Sequence, residues 1–339
     1  MCIGDIPLSG TVLPFAFNTA FACILIATAF FTVIVNVLLL TSFIATKQAM
    51  KNTSNFLITC LSLVDLLNGA MALPLMSLLF LANGKMENCF VLTASLMSPA
   101  ILTNISGYIT VLIAIDRYIH MNPDFHNRPS KLAKLFEKPR LYILLVVSST
   151  LAGAVSASSF FVYKMGTFGT TIANILLVVL AMFFLSFMVT IYASGYLRIR
   201  QFTVDNPVHA TQSTTDGPMY LRELYKTILI VLVTLVVAYT PYLLLIFITT
   251  VLLVVDPNKL TLGLLQLRTA TLLLMFSTCI TNTLVIFYRN KKTKGWLLGK
   301  IQCHRNRAVL GIENRATIHV AVQVNGRIIR NRETAKQPL

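Results

Sequence analysis

Seven long apolar runs occupy most of this chain, near residues 14–45, 55–82, 89–119, 140–162, 169–197, 225–254 and 261–288. Each is long enough to cross a bilayer core, which takes roughly 20 apolar residues of helix. Hydrocarbon offers a backbone N–H or C=O no partner, so each run must close its hydrogen bonds within itself as a helix. One such run alone also suits a buried helix of a soluble protein. Seven within 339 residues leave too little polar sequence to cover a soluble core. Composition agrees: 12% of residues are charged, against about 25% in soluble domains, and the mean hydropathy is +0.75. The fold class is therefore all-α membrane protein, a seven-transmembrane helix bundle.

Charge sets the orientation. Of 28 Lys and Arg residues, 24 fall in the loops after the first, third and fifth runs or after the seventh, and only Lys85, Lys164, Lys259 and Arg268 lie elsewhere. The positive-inside rule puts the crowded side in the cytoplasm and the N-terminus outside, as in a multi-pass protein of the plasma membrane. The net charge of +16 is then topological, with some attraction for anionic membrane lipids. No nucleic acid is expected as a partner, because the basic residues are scattered over loops without interleaved aromatics.

The chain divides into a short extracellular N-terminus (1–13), the seven-span helical domain (14–289), an amphipathic helix (290–303) and a basic tail (304–339) read as disordered. Residues 1–13 lack a basic start, so the first run is expected to act as a signal anchor. Trp296, Leu297, Leu298 and Ile301 give the eighth helix one apolar face to lie on the membrane. Cys303 at its end is a lipidation candidate, equally suited to being a plain thiol. Residues 201–218 are polar with Pro and Gly and read as a flexible inner loop. Cys2 and Cys89 face the oxidising side and are the pair available for a disulfide.

Ionisable and polar residues inside membrane helices mark function by default. Asp65 in LSLVDLL is the one carboxylate in the interior of a run. It is either a packing residue hydrogen-bonded to Asn36 or a site for a cation or proton. At the inner end of the third run stands Asp116-Arg117-Tyr118, where the chain meets cytoplasm. Asn36 in VIVNVLLL, Ser106, Asn282, Tyr192 and Pro241 in AYTPY complete a set of polar and hinge positions spread over the runs.

With these residues the chain resembles the rhodopsin-like (class A) G-protein-coupled receptors. The resemblance implies a ligand-gated receptor, with no enzymatic activity, that activates a heterotrimeric G protein and engages arrestin. It implies G-protein coupling through Asp116, Arg117, Tyr118 and Tyr192, with Arg117 paired to Asp116 at rest. It also implies a sodium or polar network at Asn36, Asp65, Ser106 and Asn282, no other cofactor, and an activation hinge at Tyr239 and Pro241. Matching of outer positions gives a ligand pocket of Met97, Thr103, Tyr242, Phe247 and Arg268, for a small-molecule, lipid or peptide ligand.

Several family features are replaced. Tyr239 stands for the toggle Trp, the seventh-helix motif reads Asn282-Thr283-Leu284-Val285-Ile286 without its Tyr, the fourth run lacks Trp, and Phe184 stands where the fifth helix usually has Pro. The short second outer loop, the lack of a Cys within it and the lost fifth-helix Pro are similar to the melanocortin, cannabinoid and lysophospholipid branch. An amine ligand is disfavoured because Pro99 stands at the Asp position, and covalent retinal because Phe276 stands at the Lys position. The sixth helix's usual acidic partner of Arg117 is Leu221, and Glu223 lies about 200° around the helix from it.

The alternatives are a transporter or channel, expected to show inverted repeats and broken helix pairs, and a membrane enzyme. Neither the repeats nor a polar cluster of metal-binding type is present in the sequence. All five histidines (His120, His126, His209, His304, His319) fall in cytoplasmic segments. The charge split yields a direct expectation. On intact cells an epitope tag before residue 14 will be accessible to antibody, and one after residue 339 only on permeabilisation; a C-terminal tag accessible from outside would overturn the topology.

Overall fold

The computed structural model describes residues 13–49, 51–83, 88–121, 136, 138–163, 166–205, 217–256, 259–290 and 293–300. Cys2, Cys303, the tail 304–339 and most of the third inner loop lie outside them. Seven helical spans occur: Phe15–Ala45, Thr53–Leu81 with a π turn, Cys89–Met121, Lys138–Tyr163, Gly166–Asp205, Gly217–Val255 and Leu262–Arg289. Among the described residues, six are long and apolar enough to cross a membrane, and the apolar stretch within the fourth is Arg140–Val155. No strand occurs among the described residues.

Consecutive spans pack side by side, and the ring closes where the first meets the seventh. The third span touches the second, fourth and fifth, which makes it the central strut. Its side-chain distribution inverts that of a soluble protein. Phe30, Phe183 and Val233 point outward, exposed toward what would be hydrocarbon, while Asn36, Asp65 and Asn282 are buried. Among the described residues three apolar clusters pack between the spans. Phe21, Leu25, Leu73 and Phe276 join the first, second and seventh spans, and Leu39, Phe43 and Ile58 do so near the inner side. Leu57, Leu112 and Leu141 join the second, third and fourth.

Local chemistry explains the helix details. Hydroxyls facing hydrocarbon find a partner in their own helix: Thr28 donates to Ile24 O at 2.8 Å and Thr41 to Val37 O at 2.8 Å. The first span ends in a Schellman turn. Lys47 takes φ 52°, its N–H bonds Ile44 O at 3.0 Å and Gln48 N–H bonds Phe43 O at 2.9 Å. At the outer end Asn83, with φ 51°, accepts a 2.7 Å bond from Asn18 Nδ2 and so ties the second span to the first.

The second span is interrupted at Asn68–Ala72 by a π turn, and Pro74 explains it. Proline has no N–H for the carbonyl of residue 70 and its ring crowds that carbonyl, so the helix widens there. Pro99 and Pro241 lie inside the third and sixth helices and remove one bond from each ladder.

The inner loop between the fifth and sixth spans is shorter than its polarity suggests. The fifth helix continues through residues 201–205 and the sixth begins at Gly217, so the polar segment 201–218 contributes helix at both ends. Residues 201–205 hold no Gly or Pro to stop a helix, and Pro218 stands in the first turn of the sixth, where its missing N–H leaves no bond unmade. From Asn290 onward the chain forms a unit of its own. Asn290 Oδ1 caps a helix over 293–300 by accepting Thr293 N–H at 3.2 Å.

Gly69, in the π turn, sets the approach of the first and second spans. A Cβ built there would stand 2.9 Å from Thr32 Cγ2 and 3.2 Å from Ala29 O, too close without a shift of the helices. Gly69→Ala should therefore cost about 1–3 kcal/mol, read as a lower thermal midpoint of the purified protein. Adding Thr32→Ala should restore most of the loss; a Gly69→Ala protein as stable as wild type would show the contact is not tight.

Candidate functional site

The buried polar residues form one connected seam. Asp65 is fully buried on the second span and its Oδ1 accepts a 2.9 Å bond from Ser106 Oγ on the third. Three residues on, so on the same helical face, Asn68 is also fully buried and donates to Cys279 Sγ on the seventh span at 3.4 Å. The Cys279 thiol in turn lies within electrostatic reach of Asp65. The resolved partners of Asn36 lie on its own helix and on the seventh span. Its Oδ1 accepts from Thr283 Oγ1 at 2.7 Å, and its Nδ2 donates to Thr32 O at 2.9 Å and to Cys279 O at 3.5 Å. Asn36 thus fastens the first span to the seventh, while Ser106 holds Asp65 and Cys279 lies beside it.

Three oxygens of this seam have no hydrogen-bond donor: Asp65 Oδ2, Asn68 Oδ1 and Asn282 Oδ1. They are acceptors only, and one belongs to a carboxylate. Oxygen-rich sets of this kind suit a hard cation. Among the described residues no group of three His, Cys, Asp or Glu side chains is close enough for a transition metal.

A second constellation lies at the inner end of the third span. Asp116 is fully buried, and its Oδ2 accepts a hydrogen bond from Ser54 Oγ at the start of the second span. Arg117 and Tyr118 are half-buried. Tyr192 of the fifth span is buried and within electrostatic reach of the Arg117 guanidinium. Three spans thereby converge on the Asp116-Arg117-Tyr118 turn.

The hinge region connects the two halves. Pro241 breaks the sixth-span ladder, and the Tyr239 hydroxyl lies near Thr278 on the seventh span, within electrostatic reach of Cys279 and Asp65. Tyr239 and Thr103 also line a cavity between the third, fourth, fifth and sixth spans. Met97 and Tyr242 are half-buried, Phe247 is 47% exposed on the outside of the bundle, and Arg268 donates from Nη1 to Thr249 Oγ1 at 3.3 Å.

Sequence reading missed Ser54, Asn68, Cys279 and Thr283. Two of them carried a usable signal, since Asn68 and Cys279 stand three residues from Asp65 and Asn282 along their helices, on the same face. Ser54 and Thr283 carried none, because single hydroxyl residues abound in these spans. Compared with known proteins, residues 35–286 match the family model described as 7 transmembrane receptor (rhodopsin family). No curated protein matches the chain.

Proposed function

This chain belongs to the rhodopsin family of seven-transmembrane receptors, and we propose that it binds an extracellular ligand at the plasma membrane and activates a heterotrimeric G protein. The family is one of receptors and not of enzymes, and nothing favours a transporter or channel. The observation that carries the coupling reading is the convergence of Ser54, Asp116, Arg117 and Tyr192 at the inner mouth of the bundle.

A guanidinium there is costly to desolvate unless a neighbouring charge offsets it. Asp116 is the adjacent counter-charge, and the Ser54 bond fixes that carboxylate against the second span. At rest Asp116 and Ser54 restrain the turn. On activation the inner half of the sixth span swings about Pro241 and frees Arg117 to meet the G protein, with Tyr192 supporting the opened arrangement. The sixth span offers Leu221 where an acidic lock would stand, so resting restraint rests mainly on Asp116 and basal signalling is raised.

Sodium is the proposed regulator. Asp65, Ser106 and Asn282, with Asn68 beside them, would hold the ion, and it would supply positive charge against the buried carboxylate in the resting form. Arrestin is the second cytoplasmic partner. The tail 304–339 carries only Thr317 and Thr334 for phosphorylation, whereas Thr211, Ser213, Thr214 and Thr215 cluster in the third inner loop, so recruitment depends on that loop.

Two measurements test this reading. Reconstituted full-length receptor is assayed for nucleotide exchange on a panel of purified G proteins. Asp116→Asn should raise basal exchange about fivefold or more, and Arg117→Ala should lower it to the receptor-free rate at normal surface expression. Exchange by Arg117→Ala equal to wild type would remove the proposed coupling element. Separately, the wild-type thermal midpoint should be higher in sodium than in choline at equal ionic strength, and Asp65→Asn should abolish the difference. An equal wild-type midpoint in the two salts would make the seam purely structural.

A further inference from the structure

The second inner loop, between the third and fourth spans, reaches the interior of the bundle at Phe136. This residue, two positions ahead of the fourth span, is buried in one apolar cluster with Leu57 of the second span, Leu112 and Ile119 of the third and Leu141 of the fourth. Its carbonyl accepts a 3.5 Å hydrogen bond from Thr53 Oγ1. Thr53 and Ser54 open the second span, so its first turn grips two things at once. One hydroxyl holds the loop, and the next holds the carboxylate of Asp116.

The cluster flanks that second bond on both helices. Leu57 stands three residues after Ser54, Ile119 three after Asp116 and Leu112 four before it, each on the same helical face as the bonded residue. Asp116 is fully buried and Ser54 nearly so. A hydrogen bond to a carboxylate keeps its strength where water is excluded, because water offers the same oxygens competing donors. The aliphatic side chains that exclude it come from three spans, and the aromatic ring packed with them comes from the loop.

We propose that Phe136 is a positioning residue of the resting receptor: its ring keeps water from the Ser54–Asp116 bond, and the second inner loop is thereby part of the restraint on the Asp116-Arg117-Tyr118 turn. Removing the ring admits water to the carboxylate, loosens Ser54 and frees the turn, although neither bonded residue has changed. A cytoplasmic partner that draws the loop away acts in the same direction without touching Asp116. The signalling consequence rests on the proposed G-protein coupling; the shielding does not.

Shielding is measured on full-length receptor in phosphatidylcholine nanodiscs carrying Ser54→Cys, with a sulfonated maleimide as probe and peptide mass spectrometry to separate position 54 from the native cysteines. Adding Phe136→Ala should speed labelling at position 54 about fivefold or more, Phe136→Val should speed it less, and Phe136→Leu should leave it near the starting rate. The graded series keeps the test decisive where Phe136→Ala fails to fold. Cys279, buried far from the loop in sequence, should label at an unchanged rate. Positioning is measured with Ser54 intact, as basal nucleotide exchange on purified G protein. Phe136→Ala should raise exchange to the level of Asp116→Asn, and the double variant should go no higher, because both release one restraint. Labelling at position 54 that stays constant across the series, or that rises in step with Cys279, would overturn the shielding. Faster labelling with wild-type exchange in Phe136→Ala, while Asp116→Asn raises it, would overturn the positioning role. Exchange that even Asp116→Asn leaves unchanged would count against the proposed coupling, and the labelling would then decide the shielding by itself.

Discussion

A carboxyl group in the middle of a membrane helix costs about 2.5–3.5 kcal/mol on insertion scales, and in this protein the arrangement of four spans follows from offsetting it. Asp65 is fully buried, draws a hydroxyl from the third span and lies beside a thiol of the seventh. Around it Asn68 reaches Cys279, and Asn36 joins the seventh span through Thr283. In hydrocarbon, apolar contact gives little reason for helices to associate, because lipid tails are as apolar as leucine. Polar bonds of this kind therefore select which helices are neighbours and at what depth.

The same seam is where helix geometry departs from ideal. Pro74 disrupts the second span, and the π turn that absorbs the disruption begins at Asn68, three residues past Asp65. One extra residue in a turn rotates all that follows by about 100°. The inner half of the span thus presents Asp65 to the polar seam, while the outer half presents Leu73 to the cluster of Phe21, Leu25 and Phe276. Gly69 lets the widened turn sit against Thr32 without separating the helices. A kink, a small residue and a buried charge serve one purpose here.

Farther along the bundle, Tyr239 bridges what would otherwise be separate regions. It stands in place of the family's tryptophan, lies near Thr278 beside the polar seam and lines the apolar cavity that Gly107 also lines. The inner mouth is built on a different principle, with Ser54 holding the carboxylate of Asp116 next to a guanidinium in sequence. Replacement of several family switch residues thus leaves one side chain, Tyr239, between the cavity and the seam, and a separate restraint at the cytoplasmic end.

Seven spans were legible in the chain because hydrocarbon imposes a length and an apolar composition that no other environment demands, and the basic residues marked its cytoplasmic side. Asn36, Asp65, Ser106, Asn282 and Arg117 also stood out, since a polar residue within an apolar run is rare enough to be noticed singly. Partnership was not legible. Ser54 and Asp116 are 62 residues apart, Asn68 and Cys279 are 211, and Asn36 and Thr283 are 247. Helical periodicity assigns a side chain to a face, but the neighbour that face meets depends on how the spans pack. The π turn and the cavity that Gly107 lines share that origin. The sequence by itself determined how many helices there are and which residues are costly to bury; the tertiary structure decided which helix relieves each of them, because that relief is a contact between residues far apart in the chain.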